Sequence, residues 1–333
     1  MKRKLLTLLT GLLACISLFA AEAHFSPINS MAYSGRFYDY LANPAALPLL
    51  ERDYGPLSVT AGVSDDFTGL TKGQEMSGVE NMRWTTDVTL KTRHVAFTAD
   101  IATDFLRTGE EPYFDIYSIM NLQLDLGYAI PHFSVGARIM GGNSMIRRDR
   151  EISKISDLFV NAWFSPFEVN TGSDDFSLGA GAILKISSFS LGAYIGDVMT
   201  LDESGSLYLG WDAIASSTTL SFAYEADRFN KRGDLLLVRP RASVSVTGLA
   251  ERESRYLDIK ADVTFQFLPN ADLTFGMSYL EGNYKPFNHD ASEGYVSIAI
   301  RGGYSHFYVE ASTRFRADDW SQLAPSFSIT YIN

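Results

Sequence analysis

Over much of this chain apolar residues recur at every second position, in runs that outlast an ordinary soluble strand. Leu257, Ile259, Ala261, Val263, Phe265 and Phe267 alternate with Asp258, Lys260, Asp262, Thr264 and Gln266. A period of two places the first set on one face of a β-strand and the second on the other. After Pro269-Asn270 the pattern resumes with Leu273, Phe275, Met277 and Tyr279 against Asp272, Thr274, Gly276 and Ser278, which reads as a hairpin with matched faces. The same construction occurs at 122–139 and again at 176–196, where Phe176, Leu178, Ala180, Ala182, Leu184 and Ile186 alternate with Ser177, Gly179, Gly181 and Lys185. No charged residue falls on these apolar faces.

Strands in soluble sandwiches average about 5–6 residues, whereas several of these segments run to about ten or more. Antiparallel strands of roughly 9–11 residues, apolar on one side and polar on the other, are what a transmembrane β-barrel requires. In hydrocarbon every backbone N–H and C=O needs a partner within the protein, so strands cross a bilayer only as a closed cylinder. Beyond residue 23 no window approaches the roughly 18 consecutive apolar residues of a membrane helix. Trp84, Tyr113, Tyr128, Tyr208, Trp211, Tyr304 and Trp320 fall near strand ends, where interfacial aromatics sit.

The fold class expected is therefore all-β, a transmembrane antiparallel barrel of about 14 strands with 12–16 allowed. Roughly sixteen segments qualify between 56 and 332, the weakest being 56–63, which is short, and 155–165, which also reads as a loop turn. A strand is also expected at 205–214. Tight turns near 94, 131, 269 and 303 alternate with long polar connections at 65–83, 106–113 and 284–291. Two further tight turns, around 187–189 and 215–217, break that alternation.

Residues 1–23 read as a secretory signal: Met1-Lys2-Arg3-Lys4, an apolar stretch from Leu5 to Ala20, then Ala21-Glu22-Ala23. Cys15, the single cysteine, lies in Leu12-Leu13-Ala14-Cys15, which also resembles a lipoprotein cleavage site, but the apolar run continues beyond it. A disulfide framework is excluded. The net charge of −11 makes nucleic acid an unsuitable partner. The destination expected is the bacterial outer membrane, with outer-membrane lipid and the barrel-assembly machinery as partners.

The segment 24–54 is not barrel sequence. It breaks the alternation and contains Tyr33-Ser34-Gly35-Arg36-Phe37-Tyr38 followed by Leu41-Ala42-Asn43-Pro44-Ala45-Ala46-Leu47-Pro48. Asn43 and Pro44 fit a helix cap followed by a first-turn proline. With its Asn-Pro-Ala element between a signal and a barrel, the chain resembles the FadL family of outer-membrane transporters for long-chain fatty acids and other hydrophobic compounds, the spirochaetal FadL-like proteins above all. The resemblance implies that 24–54 folds as a hatch, with Asn43, Pro44 and Ala45 at its heart, inside a fourteen-stranded barrel formed by 55–333. It also implies passive uptake of a hydrophobic small molecule. The chain departs from the family in its modest loops and in ending on Asn333 where a terminal aromatic is usual.

Catalytic motifs are absent: there is no His-Glu-x-x-His, Gly-x-Ser-x-Gly, cysteine pair or phosphate-binding glycine loop. No enzyme activity, cofactor or metal site is expected. His94, His132 and His306 sit near tight turns, a setting for hydrogen-bonding turn residues; His289-Asp290, assigned to a loop, is the one pairing that suggests a general base. The paired acids Asp65-Asp66, Glu110-Glu111, Asp174-Asp175 and Asp318-Asp319 read as solvated connections. Arg138, Lys185, Asp258, Lys260, Asp262, Asp272 and Arg301 lie on polar faces and are expected to line the lumen, since a mid-depth Lys or Arg facing lipid costs about 2–4 kcal/mol. Besides a channel, two functions remain open from sequence: a structural or adhesive surface barrel with a plugged lumen, and an outer-membrane hydrolase.

Overall fold

The computed structural model describes residues 39–50, 56–65, 81–107, 113–152, 157, 160–161, 174–201, 207–209, 211–225, 239–248, 257–268, 271–284, 289–318 and 323–333. The expected signal, residues 1–23, lies outside them. The chain forms β1 (Leu57–Asp65), β2 (Asn81–Lys91), β3 (Val95–Arg107), β4 (Tyr113–Ile130), β5 (Phe133–Glu151), β6 (Asp174–Ile186) and β7 (Phe189–Leu201). A two-residue β8 (Leu207–Tyr208) precedes β9 (Thr218–Glu225), β10 (Arg239–Thr247), β11 (Leu257–Leu268), β12 (Ala271–Tyr284), β13 (His289–Tyr304), β14 (Phe307–Arg316) and β15 (Leu323–Ile332). Every pairing is antiparallel, and with β8 set aside each strand neighbours the next around a closed fourteen-stranded ring. The ring closes where β1 pairs with β15, Thr60 opposite Thr330. The weakest segment of the sequence is thus the seam of the barrel.

Two expected strands are corrected. Of 155–165, only Asp157, Val160 and Asn161 are described, and they are helical. The 205–214 segment gives β8 and then a short helix, α2 (Trp211–Ser217), closed where Thr218 Oγ1 donates to the Ile214 carbonyl. β8 pairs only with the last residues of β7, Thr200 opposite Tyr208 and Leu201 opposite Leu207, and a longer strand would meet β9, which occupies the edge of β7 from Ile195 opposite Thr218. Without these two segments the turn at Ser187-Ser188 falls at the same end as the other tight turns, and the 215–217 turn becomes the end of α2. The broken alternation of turns came from including these two segments among the sixteen candidates; the ring has the fourteen strands expected. His289 and Asp290 are likewise strand residues, opposite Tyr284 and Asn283, and not part of a loop.

The tight turns share the end at which β15 terminates. There His94, His132 and His306 each accept a backbone N–H from the following strand, those of Gly127, Lys185 and Ile332, all at 2.8 Å. The ring Nδ1 of each donates back to the carbonyl of the same residue, at 3.0, 3.2 and 2.9 Å. Each histidine therefore latches its turn to the next strand.

The two faces separate as the alternation requires. Val88, Leu90, Phe97, Leu122, Leu126, Tyr128 and Ile130 are exposed on the outside, while Thr89, Thr98, Gln123 and Asp125 are buried on the inside. Along β4 the exposed apolar positions extend from Leu122 to Ile130, which at usual strand rise and barrel tilt spans about 20 Å, close to the apolar band of a membrane barrel. Towards the loop end the same parity on β1–β4 is covered. Ala61, Met82, Trp84, Phe105, Phe114 and Ile116 form a buried cluster with Ile152. Trp84, expected at an interface, belongs to this cluster.

Candidate functional site

The bore is the one feature of a closed barrel through which a solute could pass, and its turn end contains the 39–50 segment. A single helical turn, α1 (Asp39–Ala42), leads to Asn43, whose extended backbone precedes a 3-10 helix over Pro44–Leu49. Asn43 Oδ1 accepts from Ala45 N at 3.0 Å, so the side chain caps the helix that Pro44 opens. Its Nδ2 donates to the Ala193 carbonyl of β7 at 3.2 Å. One side chain thus caps a local helix and ties it to the wall. Ala45, Ala46 and Leu47 are fully buried against Ala96 of β3, Ile183 of β6 and Ile332 of β15, with Tyr308 of β14 beside them. Residues from both sides of the ring meet in one cluster only if the segment lies within the bore.

The wall is shaped to receive it. Gly127, Gly136 and Gly181 stand opposite one another on β4, β5 and β6 and form a row of three side-chain-free positions. A Cβ at Gly127 would lie 2.7 Å from Pro48 Cδ and 2.9 Å from the Pro44 oxygen. At Gly136 it would lie 2.5 Å from the Pro44 carbonyl carbon and collide with the Ala45 nitrogen, and at Gly181 it would overlap Asn43 Oδ1. The backbone of Pro44–Ala45 therefore rests directly on β4 and β5, and the Asn43 side chain on the backbone of β6.

Next to this shelf the wall is charged, and its charges pair across strands. Arg138 Nε donates to Asp125 Oδ1 at 2.8 Å and its Nη2 to Oδ2 at 3.2 Å. Gln123 Nε2 donates to the same carboxylate at 2.7 Å, and the guanidinium lies 5.4 Å from the ring centre of Tyr194. Tyr194 in turn fits because Gly179 has no side chain. Lys185 meets Glu225 at 3.3 Å, and Glu225 also lies 3.8 Å from Arg241. Arg301 meets Asp272 at 3.2 Å and lies over Tyr308. Ser243 donates to Asp262, and Arg83 pairs with Asp104 through two hydrogen bonds.

Between the charges run cross-strand hydroxyl pairs: Thr60 with Thr330 at 3.1 Å, Thr89 with Thr98 at 2.9 Å, and Thr264 with Thr274 at 2.7 Å. A cavity of about 20 Å³, room for about one water, lies under Leu41 against Asp87, Thr98, Asp100 and Gln123. Asp87 and Asp100 stand opposite each other on β2 and β3, and Asn121 donates to Asp100 at 3.0 Å.

The structure thus brings together Asn43, Pro44 and Ala45 on the wall, and Asp272 with Arg301 across two strands. Arg138, Lys185 and Asp262 pair with residues that the sequence reading passed over or did not single out as lumen charges: Asp125, Glu225 and Ser243. Lys260 lies on the face of Asp262 and is exposed. The side chain of Asp258 lies outside the described residues. The glycine row was also passed over, although its three members share the parity of the polar face. Among the described residues no group of three or more His, Cys, Asp or Glu side chains is arranged to hold a metal ion.

No protein-family model and no curated protein matches the sequence. Among solved structures, a deletion mutant of the monoaromatic hydrocarbon channel TodX aligns with a TM-score of 0.50 at 12% identity, over 92% of this chain and 96% of that one. The toluene transporter TodX of P. putida aligns at 0.47 and 13% identity, over 91% and 94%. CdiB from Acinetobacter baumannii aligns at 0.43 and 11% identity, over 84% of this chain and 60% of CdiB. The likeness is one of fold: an outer-membrane β-barrel.

Proposed function

We propose that this protein is a FadL-like passive channel of the bacterial outer membrane, closed at its turn end by the 39–50 segment. The observation that carries the reading is the seat of that segment on Gly127, Gly136 and Gly181. A segment so fitted blocks the bore when seated and opens it when withdrawn. The outward apolar band accounts for the membrane, and outer-membrane lipid is the partner that covers it. A cleavable signal and the barrel-assembly machinery deliver the chain. Transport of this kind needs no covalent step, cofactor or metal.

The fold shared with TodX and the Asn43-Pro44-Ala45 element favour hydrophobic compounds as cargo, and Ile119 and Met140 on the wall parity of Asn121 and Arg138 offer a small apolar strip. The ion pairs on the wall favour a water-soluble solute instead.

The test is planar-bilayer conductance of the chain from residue 24 onwards, beside a variant lacking 24–50. Silence in the first and steps of current in the second support a plugged channel. If neither conducts while circular dichroism and heat-dependent gel mobility show a folded barrel, the channel reading fails and a structural or adhesive barrel replaces it.

A further inference from the structure

Among the described residues β5 pairs with β6 only as far as Asn143 opposite Asp174, yet it continues along β4 to Glu151. This extension carries Arg147, Arg148 and Arg150. A register shift sets the steps of β5 from Arg147 to Arg150 against the shorter run of β4 from Ile116 to Phe114. A bulge of this kind reverses the alternation of sides, so Arg147 and Arg150 share one face although an odd number of residues separates their numbers. That face is the outer one, because Ile116 and Phe114 have the parity of the exposed Leu122 and Leu126. Arg107 of β3 stands in the same register row as Phe114 and Arg150. Arg150 is exposed and Arg147 half-buried. Partial burial, and after it the charge of Arg150, hold the Arg147 guanidinium below its ordinary pKa, so the two cations are near enough to repel.

The acids around them take other places. Glu151, opposite Tyr113, and Asp115, opposite Leu106, fall on the other face. Asp174 stands in the outer row opposite Asn143, about 13 Å along the strand from Arg147. The side chains of Asp149 and Asp174, and the 108–112 connection with Glu110 and Glu111, lie outside the described residues. A guanidinium carries five N–H donors, so contacts within the protein do not exhaust it.

Depth decides what these cations meet. Membrane barrels keep their short turns in the periplasm and their long loops outside, so β5 extends out of the outer leaflet. Its exposed apolar positions begin at Phe133 and include Val135 and Ile139. At usual rise and tilt an apolar band of about 25 Å counted from Phe133 ends near Asn143. Arg147 and Arg150 then stand about 10 Å and about 17 Å above the acyl chains. A phospholipid headgroup layer is only about 5–8 Å deep, too shallow to meet both.

We infer that the outer face of the β5 extension, through Arg147 and Arg150, binds the phosphate groups of a phosphorylated glycolipid in the outer leaflet. In such a lipid the sugars lift phosphates to more than one height above the acyl chains, as two guanidiniums at different heights require. Each guanidinium presents a planar fork that matches phosphate oxygens through two parallel N–H···O bonds. The inference needs the outer-membrane barrel and not the channel, so each reading stands or falls without the other.

The experiment is native mass spectrometry of the chain from residue 24 onwards in neutral detergent, titrated with rough lipopolysaccharide that has a phosphorylated core. The same glycolipid stripped of phosphate, and phosphatidylglycerol, are the comparison ligands. The phosphorylated glycolipid is expected to bind at least about tenfold more tightly than either. R147Q/R150Q should weaken it by about 30-fold with unchanged heat-dependent gel mobility. R314Q/R316Q, an equal change of charge on β14 across the barrel, should leave it within about twofold. Equal binding by R147Q/R150Q, or an equal loss in R314Q/R316Q, overturns the assignment to this face. Equal affinity for phosphatidylglycerol or for the dephosphorylated glycolipid overturns the ligand class. Full displacement of the glycolipid by millimolar inorganic phosphate shows a site for free phosphate and overturns the lipid assignment.

Discussion

Adding one methyl group at Gly136 tests the seat of the 39–50 segment directly. The new Cβ of G136A would stand 2.5 Å from the carbonyl carbon of Pro44, and carbon atoms rest at about 3.5–4.0 Å. The segment must therefore retreat by about 1 Å. It is held there by Asn43 Nδ2 on the Ala193 carbonyl and by the burial of Ala45, Ala46 and Leu47. Because the colliding atoms are backbone, no rotamer change relieves the clash. Overpacking of this kind costs about 1–3 kcal/mol, and about 2 kcal/mol against the seated state multiplies the ratio of open to closed channels by about 30.

The assay is open probability in planar bilayers. G141A is the control, since a Cβ there meets nothing within 4 Å; it should behave as the unaltered chain. In the variant lacking 24–50, G136A should add nothing further, because the group it strikes is gone. Wild-type gating in G136A, or an equal rise of current in the deletion background, would refute the steric reasoning.

Three other substitutions probe separate parts of the architecture. D125A leaves the buried Arg138 guanidinium without its carboxylate and should cost about 3–5 kcal/mol, measured by urea unfolding in detergent, with much of the loss recovered in D125A/R138M. N43A removes both the helix cap and the bond to Ala193, at about 1–2 kcal/mol; current should rise while the unfolding midpoint of the barrel stays within error. L126R places a cation in the outward apolar band and should cost about 2–4 kcal/mol, whereas S278R, on the inward face, should cost less than about 1 kcal/mol by the same urea assay.

Much of the barrel was legible because a period of two is a property of each strand alone. Leu122 and Gln123 fall on opposite faces whatever strand lies beside them, so the alternation marked the outside and the inside correctly along β4, β11 and β12. The same locality explains the errors. The 205–214 segment alternates well enough to read as a strand, yet only Leu207–Tyr208 pairs with β7, whose edge from Ile195 onwards is held by β9, and only the neighbours could reveal that. The short 56–63 segment is weak by itself, and its seven-residue pairing with β15 gives it its place.

The candidate site divides in the same way. Asn43 and Pro44 were readable as a helix start because capping acts over two or three residues. Gly127, Gly136 and Gly181 were readable only as polar-face residues, since a glycine row exists once three strands are set in register. Arg138 and Lys185 were identified as lumen charges, but their partners lie 13 and 40 residues away along the chain. The sequence by itself therefore determined the barrel, its faces and the odd character of the N-terminal segment, all consequences of short-range geometry. The tertiary structure alone decided which candidate segments are strands, the seam, the seat of the segment and the partners of the lumen charges, because each depends on register between strands distant in sequence.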